Sequence, residues 1–354
     1  MKKLLKITAL TILGLVVAII VCVWATFGSL IQGAASVQKL DEGLYYMEYR
    51  GDDGFDEVLK NGGCASANDL SEHIIRFLSK GYYTLPQANP QDFDYGCSTL
   101  TARTPDGGVL MGRNFDFYSG TAMILHTVPV KGYESVSTFN IDLFGFGDGW
   151  LPEGFVNQYM ALSCLFVALD GVNEKGFAIA DLIAGDTAVT NQQTDKPDLT
   201  TTMALRYMLT NAATVDEALE LLRSIDMHSD IGAAHHYAMS DATGRSVVVE
   251  YVDNQIVVTE TPAVTNHYLC EQKLNTGLIF GDTRYDQLCL DYNQANGVMS
   301  QQAMTEAIES VAQPASETFW GTLWTMVMDL TNPSVTYYSR RNFDKPFRFE
   351  LGKD

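Results

Sequence analysis

A glycine followed by a cysteine, Gly96-Cys97, opens a strand-like run to Arg103, and a second run ends in Gly112-Arg113-Asn114-Phe115-Asp116-Phe117. Between them, Thr104-Pro105-Asp106-Gly107-Gly108 is a turn: proline presets φ and Asp-Gly accepts the tight reversal. The two runs therefore fold back as a hairpin, with Cys97 near the start of one strand and Arg113 and Asp116 near the end of the next. Antiparallel neighbours lie about 5 Å apart, so a cation and a carboxylate are both expected near the thiol. A guanidinium pushes a thiol toward thiolate, the form that attacks carbonyl carbon. Taken alone, the same residues also fit a half-buried cysteine in an ordinary hairpin with a surface ion pair.

The run Gly-Cys-Ser-Thr, a turn, and Gly-Arg-Asn-Phe-Asp resembles the opening of the choloylglycine hydrolase group of N-terminal-nucleophile hydrolases. That group includes bile salt hydrolases, penicillin V acylases, acid ceramidase-like amidases and penicillin acyltransferase-like linear amide hydrolases. Further blocks match in the same order. Gly171-Val172-Asn173-Glu174-Lys175-Gly176 resembles the Asn-Glu-Lys-Gly turn, Ser240 to Glu250 resembles the second hairpin, and Thr265-Asn266 and Asp282-Thr283-Arg284-Tyr285 follow. The resemblance covers Cys97 to about Tyr338. It implies an α+β fold, a four-layer αββα sandwich, with Cys97 as nucleophile and Arg113 and Asp116 holding it and its amino group. It further implies Asn266 as side-chain donor of the oxyanion hole and Arg284 as a second active-site arginine. Where bile salt hydrolases carry an asparagine, this chain has Ile183, which can still offer a backbone N–H to an oxyanion but makes bile salts a less fitting substrate.

In such enzymes one residue carries both nucleophile and base: the thiol attacks, and the α-amino group of the same residue shuttles the proton. An α-amino group titrates near about 7.7 to 8.0, so it accepts a proton close to neutral pH. Residue 97 has a peptide chain in front of it, so the expectation is self-cleavage of the Gly96–Cys97 bond. Glycine suits that position, because without a Cβ it tolerates close approach. The expected substrate is a small N-acyl amide, and transfer of the acyl group to an amine in place of water would make the same site an acyltransferase. No cofactor or metal is expected, and the spacing of Cys64, Cys164, Cys270 and Cys289 fits no zinc motif.

A formal net charge of −20 argues against a nucleic-acid partner, since phosphate binding needs clustered Lys and Arg. Lys2, Lys3 and Lys6 precede an apolar run from Ile7 to about Ile31, long enough for a bilayer and longer than a usual signal core. Gly33-Ala34-Ala35 also offers small residues for signal removal. Residues 1–36 are therefore expected as a membrane anchor or signal, 37–96 as a pro-segment and 97–354 as the catalytic domain, outside the cytoplasm or secreted because the lysines stay inside. Association into a homo-oligomer is compatible with the sequence. Cys64, Cys164, Cys270 and Cys289 could pair in such a compartment, Cys270 with Cys289 first by proximity, or remain buried thiols.

Leu70, Ile74, Phe77 and Leu78 form one face of a helix before the hairpin, and Pro86 and Pro90 suggest a flexible approach to Cys97. Beyond it, strands are expected at 122–130, 165–169, 177–183, 236–240, 246–251 and 255–260, and helices at 200–211, after the capping box Thr214-Val215-Asp216-Glu217, and at 300–311. A last hairpin crosses Asn332-Pro333. Two rivals stand beside the amidase. One is a Cys-His protease using His235, His236 or His267, which lacks the papain-type residues around the cysteine. The other is a membrane-tethered binding protein that kept the fold without turnover.

Overall fold

The computed structural model describes residues 2–352 apart from 83–95, 119, 148, 186, 230–231, 275, 277–281 and 317–320. The approach to Cys97 through Pro86 and Pro90 lies outside the described residues. Two β-sheets face each other. The first has nine strands in the order β1 (Gln38–Asp41), β2 (Leu44–Gly51), β5 (Ala122–Pro129), β6 (Ser135–Asn140), β7 (Asp170–Asn173), β8 (Ala178–Ile183), β11 (His235–Ser240), β12 (Ser246–Val252) and β13 (Gln255–Glu260). The second has six: β14 (Ala263–Val264), β3 (Gly96–Arg103), β4 (Val109–Asp116), β15 (Thr322–Asp329), β16 (Ser334–Ser339) and β17 (Phe347–Glu350). A short parallel pair, β9 (Asp198–Thr200) with β10 (Asp226–His228), stands apart.

Side chains cross between the sheets: Thr138 Oγ1 lies 2.7 Å from Tyr337 Oη, and Thr101 Oγ1 lies 2.7 Å from Ser240 Oγ. Helix α5 (Thr201–Asn211) covers the outer face of β7 and β8 and leads into α6 (Val215–Arg223). Helices α7 (Thr283–Gln294) and α8 (Gln301–Ser310) cover the outer face of β3. The layers thus run helices, nine strands, six strands, helices.

Local chemistry explains several element ends. Thr214 Oγ1 accepts from Glu217 N at 3.2 Å and caps α6, while the Glu217 carboxylate turns to Ala213 N at 2.7 Å. Gly176, with φ +76°, lies so close to Leu330 that an added Cβ would meet its carbonyl oxygen at 1.8 Å, so only glycine fits that turn. One expected strand is absent. Residues 165–169 are apolar enough for a buried strand, but Ala161–Phe166 is a 3-10 helix and the strand begins at Asp170. A continuous apolar run has no period to separate the two.

The segment ahead of Cys97 is built into the sheet. Strand β2 pairs in parallel with β5 along its whole length, and Leu44, Tyr45, Met47 and Tyr49 are buried. Helix α2 (Phe55–Lys60) and helix α3 (Ala67–Leu78) follow, the latter capped by Ser66, whose Oγ accepts from Asp69 N at 3.2 Å. Helix α3 buries Leu70, Ile74 and Phe77, the expected face, and sets His73 and Phe77 edge-on against Phe166. The apolar N-terminal run forms helix α1 (Lys2–Ala35), the one helix among the described residues long and apolar enough to cross a membrane. Helix α4 (Phe155–Met160) packs beside its far end. All six cysteines are unpaired.

Burial, reinforced by Arg76, holds the His73 imidazole down at about 4, whereas the unfolded chain titrates near about 6.5. The unfolded state therefore takes up a proton in that window and the folded state does not, so stability falls as pH drops from about 6.5 to about 4, by about 3 kcal/mol at most. Thermal melts at pH 7.5 and pH 4.5 should show a smaller acid-induced loss for His73→Gln than for the native chain.

Candidate active site

The hairpin forms as the sequence suggests, with Gly96 opposite Asp116, Cys97 opposite Phe115 and Thr99 opposite Arg113. Side chains alternate across a strand, so this register sorts the expected residues onto two faces. Cys97 and Arg113 point inward, toward the nine-stranded sheet; Asp116 points outward, toward α7. The carboxylate on the thiol's side is instead Asp170.

On the inner face, Arg113 Nε donates to Asp170 Oδ2 at 3.1 Å, Nη2 donates to Asp181 O at 3.0 Å and Nη1 donates to Asn114 O at 2.7 Å. The indole Nε1 of Trp324 donates to the same Asp170 oxygen at 2.9 Å, and Phe115 stacks on the Trp324 ring with centroids 4.0 Å apart. Cys97 Sγ lies 3.9 Å from Asp181 O. The thiol is sealed from solvent, and burial pushes it up to about 12, an effect that the Arg113 guanidinium beside it opposes. In the intact chain the sulfur is therefore a neutral thiol at neutral pH.

On the outer face, Asp116 Oδ2 accepts from Arg284 Nη1 at 2.8 Å and Oδ1 accepts from Thr322 Oγ1 at 2.5 Å. Burial raises the Asp116 carboxyl above its ordinary range, with the Arg284 charge acting against it. Gly96 sits directly on this pair: a Cβ there would lie 3.3 Å from both Arg284 Nη1 and Asp116 Oδ2. Asp282 caps α7 by accepting from Arg284 N at 3.0 Å, and its carboxylate also grips the Arg284 guanidinium. The sequence Asp282-Thr283-Arg284 is thus a helix start that aims its arginine at the hairpin.

Asn266 joins the two faces. Strand β14 pairs Val264 with Thr99, which carries Asn266 to the position across from Cys97. Its Oδ1 accepts from Cys97 N at 2.6 Å and from Arg284 Nη2 at 3.0 Å, while Nδ2 donates to Ile183 O at 2.8 Å. Two N–H donors on one atom and a carbonyl against the other fix the orientation of the amide. Ile183 lies at the same spot: Ala184 N donates to Ala234 O, so the Ile183–His235 pair is of the non-hydrogen-bonded kind and Ile183 turns its own N–H and C=O away from β11.

The structure thus brings together Gly96, Cys97, Arg113, Asp116, Ile183, Asn266 and Arg284. Asp170, Thr322 and Asp282 are the partners that sequence reasoning missed. Asp170 had a signal, an acid heading the Gly171-Val172-Asn173 block; Thr322 had none, because only the pairing of β15 with β4 sets it against Asp116. The histidines are engaged elsewhere. His235 Nδ1 meets the Asp181 carboxylate at 3.0 Å, His236 lies between Glu250 and Thr265 O, and His267 Nδ1 lies 3.0 Å from Thr265 Oγ1.

A family profile, linear amide C–N hydrolases of the choloylglycine hydrolase family, matches residues 97–312. The chain belongs to that family. Among known proteins, it is 31% identical over 119 residues to penicillin V acylase of Pectobacterium atrosepticum, a match covering 30% of this chain and 31% of that protein. The chain thus spans about a third of that relative's length in alignment. Two solved structures share the fold over 73% of this chain. Penicillin V acylase from Agrobacterium tumefaciens has a TM-score of 0.54 at 18% identity over 87% of its length. A variant of the conjugated bile acid hydrolase from Clostridium perfringens has a TM-score of 0.54 at 17% identity over 93% of its length. That family is one of linear amide C–N hydrolases.

Removing the Asp170 charge would leave Arg113 buried without its counterion. Asp170→Asn should cost about 3–5 kcal/mol, read by urea unfolding.

Proposed function

We propose that Cys97 is the nucleophile of an N-acyl amide hydrolase and that it becomes a chain terminus by cleaving the Gly96–Cys97 bond. The observation that carries this reading is the hydrogen bond of 2.6 Å from Cys97 N to Asn266 Oδ1, which places the backbone nitrogen of the cysteine, and not only its sulfur, in the centre of the site. The family match, which begins at Cys97, supports the same reading.

In the cleavage, Sγ adds to the Gly96 carbonyl carbon, the C–N bond breaks, and the thiol proton ends on the departing nitrogen. Water then hydrolyses the thioester, giving a Gly96 carboxylate and a Cys97 that carries both a thiol and a free amine. Asp116 and Arg284 hold the scissile glycine, and Arg113 stabilises the sulfur as its charge develops. In turnover, the amine takes the thiol proton, Sγ attacks the substrate carbonyl, and the proton passes to the leaving amine; water clears the acyl-thioester. One Asn266 Nδ2 hydrogen goes to Ile183 O; the second is assigned to the oxyanion, together with the Ile183 N–H. The substrate class is that of the relatives' names, an acyl group in linear amide linkage, as in penicillin V or a conjugated bile acid.

The segment 37–96 is a pro-segment in the sense of being cut off, yet it would not leave. Its strand β2 lies between β1 and β5, so cleavage would yield two chains held by one sheet. Helix α1 is the anchor of the shorter chain, and the catalytic domain stands outside the cytoplasm.

Intact mass and N-terminal sequencing test this. The native protein should contain a chain starting at Cys97, still associated with residues 1–96 through gel filtration in detergent, whereas Cys97→Ala should stay whole and inactive. An active native protein with an unbroken Gly96–Cys97 bond would refute the reading. In material that has been processed, Asn266→Ala should lower amide hydrolysis by about 10² to 10³ through loss of an oxyanion donor.

A further inference from the structure

Helix α1 does not lead into the domain through a linker. From Lys6 to Thr26 it is exposed on every side, and from Phe27 onward it is packed: Leu30 and Ala34 are buried, and Gly33 is set so close that a Cβ would lie 2.9 Å from the Tyr49 ring and 3.0 Å from Leu162. Ser36 locks the joint, its Oγ donating to Glu48 O at 2.9 Å and accepting from Glu48 N at 2.8 Å. The exposed apolar stretch, Ile7 to Thr26, is about 30 Å long at about 1.5 Å per residue, the depth of a bilayer's hydrocarbon core. Trp24 lies near its outer end with half of its surface exposed, where aromatic side chains gather at a lipid–water boundary. The domain therefore begins where the hydrocarbon ends, and the face through which α1 enters it must lie on the membrane surface.

That face carries α4. Its six residues have no buried member, and Phe155 and Val156 are 54% and 71% exposed. Between α4 and α1 runs a groove of about 370 Å³ lined by Val23, Phe27 and Ile31 on one side and Phe155, Val156 and Met160 on the other. Its walls are almost wholly apolar, and Val23, one turn below the packed part of α1, belongs to both the groove and the exposed stretch. The apolar surface of α4 is thus continuous with that of α1 at the level where acyl chains begin.

We propose that α4 is a membrane foot. Phe155 and Val156 enter the leaflet on the domain's side, and phospholipid acyl chains fill the groove between α4 and α1. The proposal rests on reading α1 as a retained anchor and adds that the catalytic domain is held flat on the bilayer at a fixed angle.

The test uses the full chain in phosphatidylcholine vesicles, with Cys22 and Cys289 changed to serine and a spin label placed in turn at Val16→Cys, Val156→Cys and Val189→Cys. Val189 is exposed in a loop tied to the β12–β13 turn, at the opposite edge of the nine-stranded sheet from β1. Collisions with oxygen report lipid, and collisions with a water-soluble nickel chelate report solvent. The expected result is an oxygen-to-nickel ratio several-fold higher at residues 16 and 156 than at 189. Lipid exposure at 16 with solvent exposure at 156 would overturn the foot while leaving the anchor. Solvent exposure at 16 would overturn both. A label at 156 shielded from both reagents would mean that another protein surface covers α4, and would also overturn the proposal.

Discussion

The buried ion pair of Arg113 and Asp170 joins the two sheets beside Cys97, at the candidate site. Both side chains are out of contact with water, so neither charge is tolerable without the other, and the indole N–H of Trp324 and the carbonyls of Asn114 and Asp181 add hydrogen bonds to the pair. The pair fixes the spacing between β4 and β7, and with it the separation of Cys97 from the Asp181 carbonyl on β8. Any shift of one sheet over the other would strand a charge, which is how a site assembled from distant parts of the chain is held in one geometry.

Strand alternation then divides labour around Cys97. The sulfur and its cation share the interior face, whereas the backbone nitrogen and the preceding glycine are managed from the far side by Asp116, Arg284 and Asn266. A single hairpin register, with Gly96 facing Asp116 and Thr99 facing Arg113, sets up both. The α7 cap is coupled to it, because the same Asp282 that starts the helix orients the guanidinium reaching Asp116 and Asn266.

Local signals in the sequence were enough for the hairpin and the α6 cap, whereas Asn266 and Arg284 came from the family resemblance. Turn residues and capping side chains act within a few positions, so they are readable in a linear string. Four things were not. The alternation that sends Asp116 away from the thiol depends on the pairing register, which a turn sequence constrains only to within a residue. Asp170 and Thr322 become partners through sheet pairing and packing across long sequence separations. The strands at 38–51 were read only as part of a pro-segment, since their burial depends on β5, which follows the hairpin. The apolar run around Leu165 was misassigned for want of a period. The family resemblance named the candidate site residues, but it did not reach the pairing of β2 with β5.

Cys97 has none of its surface open to solvent. Peroxide and soluble electrophiles react with thiolates they can reach, and here there is neither access nor, at neutral pH, a thiolate. The packing that suppresses the reactivity of this sulfur thus also shields it from oxidative damage.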